Sequence, residues 1–304
     1  MQLIIKPTSK CNFNCNFCSA KLLNIKHSTN VPSVLKDYIK ELNPSDLIIT
    51  GGEPLMIPKE YYEELLSLGD WNISLTSNLG IFYKNPDYWT PLLKNNRIGV
   101  ITSFQYGNDR IDGNNVYTEE QFIKVINLFE EKIGYKPNFI TVISEENEDK
   151  ALDHILLAKR LGIKCKLNGV LPMGLSKSYY PRYKMMNLYI KIIEMGLEDY
   201  EINCSERHLG KCNFNTNLSC KDNIRACYVD FNNQLHKCFC EDLLAEGFEG
   251  EYDNSYINDK CLTCELCRLC NGCMKTRLSE KLDENHCQEM LKIKDKILEM
   301  GWST

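Results

Sequence analysis

The sequence predicts an α/β fold: a partial (β/α)6 TIM-like barrel over residues 1–198, followed over 199–304 by a small cysteine-rich domain. Three observations predict it. Short apolar runs alternate with amphipathic stretches about six times up to residue 198, and such alternation lays parallel strands beside crossover helices. From about Tyr200 the composition changes, and twelve of the sixteen cysteines fall in the last third of the chain. That last third is too poor in aliphatic side chains to build a core alone, and bound metal is the usual substitute in a small domain.

The elements follow in order. Strands are expected at 2–6, 46–50, 72–76, 98–104, 138–143 and 163–167, where apolar and β-branched residues cluster. Helices are expected at 31–42, 58–68, 86–93, 118–133, 149–161 and 180–195, where apolar residues recur at helical spacing. Thr118-Glu119-Glu120-Gln121 has the form of a capping box, and Gly162 stands where a helix would stop. A last helical stretch covers 279–300.

Two motifs lie at the carboxyl ends of the first two strands, the end at which such barrels place their chemistry. Leu3-Ile4-Ile5 precedes Cys11, Cys15 and Cys18, a Cys-x3-Cys-x2-Cys spacing. Three thiolates on one short loop suit iron-sulfur or zinc. The second strand runs into Gly51-Gly52-Glu53-Pro54. Its glycines let backbone approach a ligand closely, and Glu53 can offset an ammonium charge.

Together these motifs resemble the radical S-adenosylmethionine (SAM) superfamily. The resemblance implies a four-iron cluster held by Cys11, Cys15 and Cys18, with the fourth iron chelated by SAM. It assigns Gly51, Gly52, Glu53 and Pro54 to the SAM amino group and Phe17 to a place near the adenine. Thr76-Ser77-Asn78 resembles the family's Thr-Asn-Gly turn. By the same resemblance Asn78, Ser103 and Gln105 fall near the ribose and carboxylate, and Leu171 near the adenine, in the exit 168–174 that also holds Met173. A polar residue closing a strand also serves simply to form a turn.

The cysteines beyond Tyr200 resemble the SPASM extension that follows many radical SAM barrels. The spacing is Cys227-x10-Cys238, then Cys261-x2-Cys264-x5-Cys270-x2-Cys273, then Cys287. Carried over by position, Cys220, Cys227, Cys238 and Cys273 would hold one auxiliary [4Fe-4S] cluster and Cys261, Cys264, Cys270 and Cys287 another, three clusters in all. Asn233 stands where relatives carry glycine and tolerates the left-handed conformation better than most residues. The last short spacing is two residues where the family has three, and Cys267 offers a competing thiolate. Paired Cys-x2-Cys also suits a zinc ribbon.

The family chemistry is reductive cleavage of SAM to a 5'-deoxyadenosyl radical, which takes a hydrogen atom from a substrate. SPASM-bearing relatives imply a peptide or protein substrate, with oxidation, crosslinking or epimerisation as the outcome. The alternatives are dehydrogenation of a small molecule such as a sugar or cyclitol, and a non-catalytic iron-sulfur binding protein. Phe239 after Cys238 departs from the acidic residue of sulfatase-maturating relatives. Candidate substrate-side groups are Tyr106, Asp109 and Arg110 after the fourth strand and Glu241 and Asp242 after Cys240, with a free cysteine such as Cys240, itself outside both ligand sets, as a candidate hydrogen-atom donor. Cys165, Cys204, Cys212 and Cys267 are unassigned, and His208, His236 and His286 are expected to pack or face solvent.

Implied partners are a reductant such as flavodoxin or ferredoxin and, because the cluster motif starts at residue 11, a separate peptide-recognition protein or a leader site on the barrel itself. A formal charge of −5 gives no global attraction to nucleic acid or anionic lipid. No segment reads as a membrane span and no export signal is visible, so a cytoplasmic protein is expected, its cysteines serving metal in place of disulfides.

Overall fold

The computed structural model describes residues 1–21, 29–172, 175–176, 179–205, 226–236, 266 and 284–301. Its strands are β1 (Gln2–Ile5), β2 (Asp46–Ile49), β3 (Asn72–Thr76), β4 (Ile98–Ser103), β5 (Ile111–Asp112), β6 (Asn115–Val116), β7 (Phe139–Ile143), β8 (Cys165–Gly169), β9 (Ala226–Val229) and β10 (Leu235–His236). Its helices are α1 (Ser33–Leu42), α2 (Lys59–Ser67), α3 (Gly80–Lys84), α4 (Pro86–Leu93), α5 (Glu119–Ile133), α6 (Ala151–Leu161), α7 (Arg182–Glu194), α8 (Ile202–Ser205), α9 (Glu284–Lys292) and α10 (Lys294–Glu299).

All six expected strands form, each parallel to the next, within a sheet ordered β10-β9-β1-β2-β3-β4-β7-β8. Alternation along the strands explains the layering. Leu3, Ile5, Leu47, Ile49, Ile73 and Leu75 are buried in one apolar cluster with Leu35 and Ile39 of α1, Tyr61 and Leu65 of α2 and Leu92 of α4. Their neighbours Ile4, Ile48 and Ser74 are only half-buried, so the opposite face is more open. A second cluster gathers Phe104, Phe122, Phe139, Ile155, Leu167, Met186 and Ile190 under α5, α6 and α7.

The sheet does not close, because β8 and β10 end it on opposite sides. Beyond β8, Glu201 takes the place of a further strand partner: its carboxylate accepts from Leu167 N at 3.0 Å, Asn203 Nδ2 at 2.9 Å and Cys204 N at 2.7 Å. Beyond β1, the sheet gains two strands that sequence periodicity did not show. β9 lies parallel to β1 with Leu3 opposite Cys227, and β10 folds back antiparallel. Asn233 in the intervening turn has φ +62°, the left-handed conformation expected of it.

Other boundaries shift for local reasons. The sixth family strand runs Cys165–Gly169, later than expected, because Ile163 N still bonds Ala158 O at 3.0 Å and so completes the end of α6. Gly162 ends that helix at φ +69°. Both halves of the Thr118–Gln121 capping box are made. The C-terminal helix is two pieces, α9 and α10, with Met290 and Ile297 buried in the second cluster. Met173, His208, Cys212, Cys220, Cys238, Cys240, Glu241, Asp242, Cys261, Cys264, Cys267, Cys270 and Cys273 lie outside the described residues.

Candidate active site

The cysteine loop leaves β1 and passes under the end of β2. Gly52 N donates to Thr8 O and Glu53 N to Lys10 O, both at 2.7 Å. This contact is what the two glycines permit. A Cβ on Gly52 would stand 2.1 Å from Lys10 O, and one on Gly51, whose φ is +119°, would stand 2.6 Å from Thr8 O. The glycine pair thus lets two chain segments touch at the junction.

Glu53 ties this junction to the end of β3. Its carboxylate, 1% exposed, accepts from Leu55 N at 2.9 Å, Ser77 Oγ at 2.6 Å and Asn78 N at 2.8 Å. Burial pushes its pKa up, while these donors and the Arg110 charge pull the other way. A carboxylate offers about four acceptor positions, so Glu53 keeps capacity for one further donor. Pro54 opens a short 3-10 turn and its carbonyl accepts from Tyr62 Oη at 2.6 Å.

Asn78 turns back toward the cysteines. Its Nδ2 lies 2.9 Å from Asn12 Oδ1 and 3.6 Å from Cys11 Sγ, and its Oδ1 accepts from Gly80 N at 2.8 Å. Its side chain therefore steadies the loop, and a donor faces a sulfur. Cys11, Cys15 and Cys18 are free thiols in one loop. Burial first, then the Glu53 charge and the two neighbouring cysteines, push the Cys11 thiol up to about 12. Burial also raises Cys18. Cationic metal reverses that bias, because binding replaces the proton on sulfur.

Beside the cysteine loop, Arg110 Nη2 donates to Ser103 Oγ at 2.5 Å. The guanidinium carbon lies 5.1 Å from the Phe13 ring centre and 5.8 Å from that of Tyr117. Among the described residues, Arg110 Nε and Gln105 Oε1, of side chains only 6% and 2% exposed, have no protein hydrogen-bond partner. Leaving buried polar atoms unpaired is costly. Arg110, over the Phe13 ring of the cysteine loop and near Glu53, offers a cation, and Gln105 just past β4 an amide, to a ligand with a carboxylate and polar groups. Phe17 packs at the edge of the second cluster. Leu171 is half-exposed just past β8, and the loop beyond it returns to the cysteines, where Leu175 N meets Cys18 O at 3.2 Å.

The other candidates separate. Tyr106 Oη bonds Glu119, which also pairs with Arg160. Asp109 instead holds the cysteine loop: its carbonyl accepts from Asn16 N at 2.8 Å and its carboxylate from Asn16 Nδ2 at 3.3 Å. Cys227 is buried within β9, and Cys287 is exposed on α9. His286 is buried and His236 pairs with Asp230 at 3.0 Å. Periodicity missed Asn12, Ser77 and the β5–β6 hairpin, whose polar residues look like ordinary loop.

A profile described as the radical SAM superfamily matches residues 5–158, which include every residue of this junction up to Arg110. The chain belongs to the radical SAM superfamily. This radical SAM chain is 29% identical over 187 residues to the GTP 3',8-cyclase of Aquifex aeolicus (strain VF5), covering 57% of each chain. It is 36% identical over 74 residues to the 7-carboxy-7-deazaguanine synthase of Clostridium acetobutylicum, covering 23% of this chain and 31% of that one. It thus spans little more than half the length of one curated relative and under a third of the other. Among solved structures, anSMEcpe with bound AdoMet superposes with a TM-score of 0.67 at 18% identity, over 99% of this chain and 97% of that one. SuiB of Streptococcus suis bound to S-adenosylmethionine gives 0.62 at 17% identity, over 94% and 77%. At such identities the likeness is one of fold. Membership implies a [4Fe-4S] cluster and SAM, and the three thiols and unpaired polar atoms of this rim fit both.

Proposed function

We propose that this radical SAM enzyme takes a hydrogen atom from a peptide or protein substrate, which it oxidises, crosslinks or epimerises. The observation that carries the chemistry is the junction of three free thiols and the Glu53 clamp, with the Arg110 cation over Phe13 of the same loop. When bound, cluster and SAM together supply a 5'-deoxyadenosyl radical. The chain's own residues hold them: Cys11, Cys15 and Cys18 ligate, Asn78 places a donor on Cys11 Sγ, and Arg110 and Gln105 meet polar groups of SAM. Glu53 fixes the rim and has one acceptor position for the amino group.

A peptide substrate is supported by two lines. The cysteine spacing after Tyr200 has the SPASM form, and a structure of SuiB bound to its precursor peptide SuiA superposes on this chain with a TM-score of 0.60. In this reading the region 199–304 is a second, SPASM-like unit. Cys220, Cys227, Cys238 and Cys273 would hold one auxiliary cluster there and Cys261, Cys264, Cys270 and Cys287 another, which would supply an electron acceptor. The partner would be an external reductant. A small-molecule substrate is the second reading, supported by the names of the two curated relatives.

Anaerobically reconstituted protein, given SAM and a strong reductant, should yield 5'-deoxyadenosine, and Cys15→Ala should abolish it. Mass spectrometry of candidate peptides then separates the outcomes. Loss of two hydrogens marks oxidation or crosslinking, and deuterium uptake without other change marks epimerisation. Turnover by Cys15→Ala would sink the reading, and turnover confined to sugars or nucleotides would favour the second.

A further inference from the structure

We propose that the β5–β6 hairpin is a clasp that fixes the cysteine loop before iron arrives, with Asn14, Asn16 and Asp109 as positioning residues. The inference takes its purpose from the radical SAM reading of Cys11, Cys15 and Cys18, but its geometry stands without iron.

The segment between the cysteines is Asn12-Phe13-Asn14 and Asn16-Phe17. Phe13 and Cys15 bury their side chains in the second cluster and Phe17 packs at its edge, but the backbone between the three cysteines still needs a hydrogen-bonding brace. The hairpin supplies it. Asn14 N donates to Ile111 O at 2.7 Å and Asn16 N to Asp109 O at 2.8 Å. Asn14 Nδ2 adds a bond to Gly113 O at 3.2 Å, and Asn16 Nδ2 one to Asp109 Oδ1 at 3.3 Å. Phe13 forms an antiparallel bridge with Asp112. Alternate amides spent on one neighbour are the signature of strand addition, so the loop joins the hairpin as a short third strand. Cys15 sits between two anchored residues.

The clasp is itself rooted. Ile111 pairs with Val116 and Asp112 with Asn115, leaving Gly113-Asn114 as a two-residue turn with Gly113 at φ +62°. At its base Tyr117 N bonds Arg110 O at 2.8 Å, Tyr117 is buried, and its ring meets that of Phe13 at 5.0 Å. Because Arg110 also holds Ser103, one segment braces both the ligating loop and the end of β4.

Hydrogen exchange on the iron-free full chain tests this directly. The amides of Asn14 and Asn16 should exchange roughly tenfold or more slowly than unstructured amides. Gly113→Val provides the perturbation. A Cβ there meets nothing within 4 Å, so only the turn conformation is strained. The variant should lose that protection and, after reconstitution, release iron to a chelator roughly fivefold faster, as expected for one lost backbone bond. Exchange in β1 to β4 should not change. If Gly113→Val fails to fold, the Asn14→Ala/Asn16→Ala double variant should move both readouts the same way by a smaller factor. Unprotected Asn14 and Asn16 amides in the wild type, or unchanged protection and iron release in the variants, overturn the clasp. Wild-type protein that binds no iron counts against the radical SAM reading, and the exchange data then decide the clasp alone.

Discussion

At Gly52 the chemistry of the site and the geometry of the fold meet in one missing methyl group. Lys10 O occupies the space a Cβ would need, at 2.1 Å, and it is backbone, with no freedom to swing aside. Gly52→Ala should therefore destabilise the protein by about 1–3 kcal/mol in urea unfolding and lower the iron retained after reconstitution. His154 offers a residue-scale test in pH. Buried, it accepts from Tyr106 N at 2.9 Å and reaches Lys150 O at 2.7 Å, the arrangement of a neutral ring with its proton on Nδ1. Burial lowers its pKa from the ordinary 6.5 to about 4. Between those values the unfolded chain binds a proton that the folded chain does not. The stability contributed is thus complete above 6.5 and is lost as pH falls toward 4. Raised carboxyls such as Glu53 and Glu201 work with the opposite sign. The measurement is consequently a difference: the urea midpoint should fall less between pH 7 and pH 4.5 in His154→Gln than in the wild type.

At the scale of elements, the sequence spoke clearly where local chemistry decides. Thr118 and Gln121 cap α5 with both reciprocal bonds, so Thr118→Ala should cost about 1 kcal/mol by urea denaturation. The six family strands could be read because one face of each is apolar and the spacing repeats. What could not be read was pairing with distant partners. β5 and β6 are two residues each, too short for a period to show. β9 carries Ala226-Cys227-Tyr228-Val229, four residues whose pairing with β1 is fixed by a partner more than two hundred residues away. The roles of Glu53 and Asn78 were legible as positions, since both motifs follow strands, but not as bonds, because their partners at Ser77 and Asn12 are fixed only by the fold.

Across the whole molecule the sheet is the frame, and its ends are managed differently. Glu201 satisfies backbone at the β8 side, while β9 and β10 extend the β1 side. Among the described residues no helix is long and apolar enough to cross a membrane. A chain truncated after Ser205 would lack β9 and leave β1 as a parallel edge with unpaired backbone. It should self-associate, and size-exclusion chromatography should show it leaving the elution position of the full chain.

The place of β1 has a consequence for how the protein is made. Its outer side is sealed only when residues 226–229 arrive, with Val229 O receiving Lys6 N at 3.0 Å at the root of the cysteine loop. On the ribosome, where chains emerge N-terminus first, β1 waits for a segment more than two hundred residues later in the sequence before it is secured on both flanks. A chain still short of those residues should therefore leave the root of the cysteine loop held on one flank only.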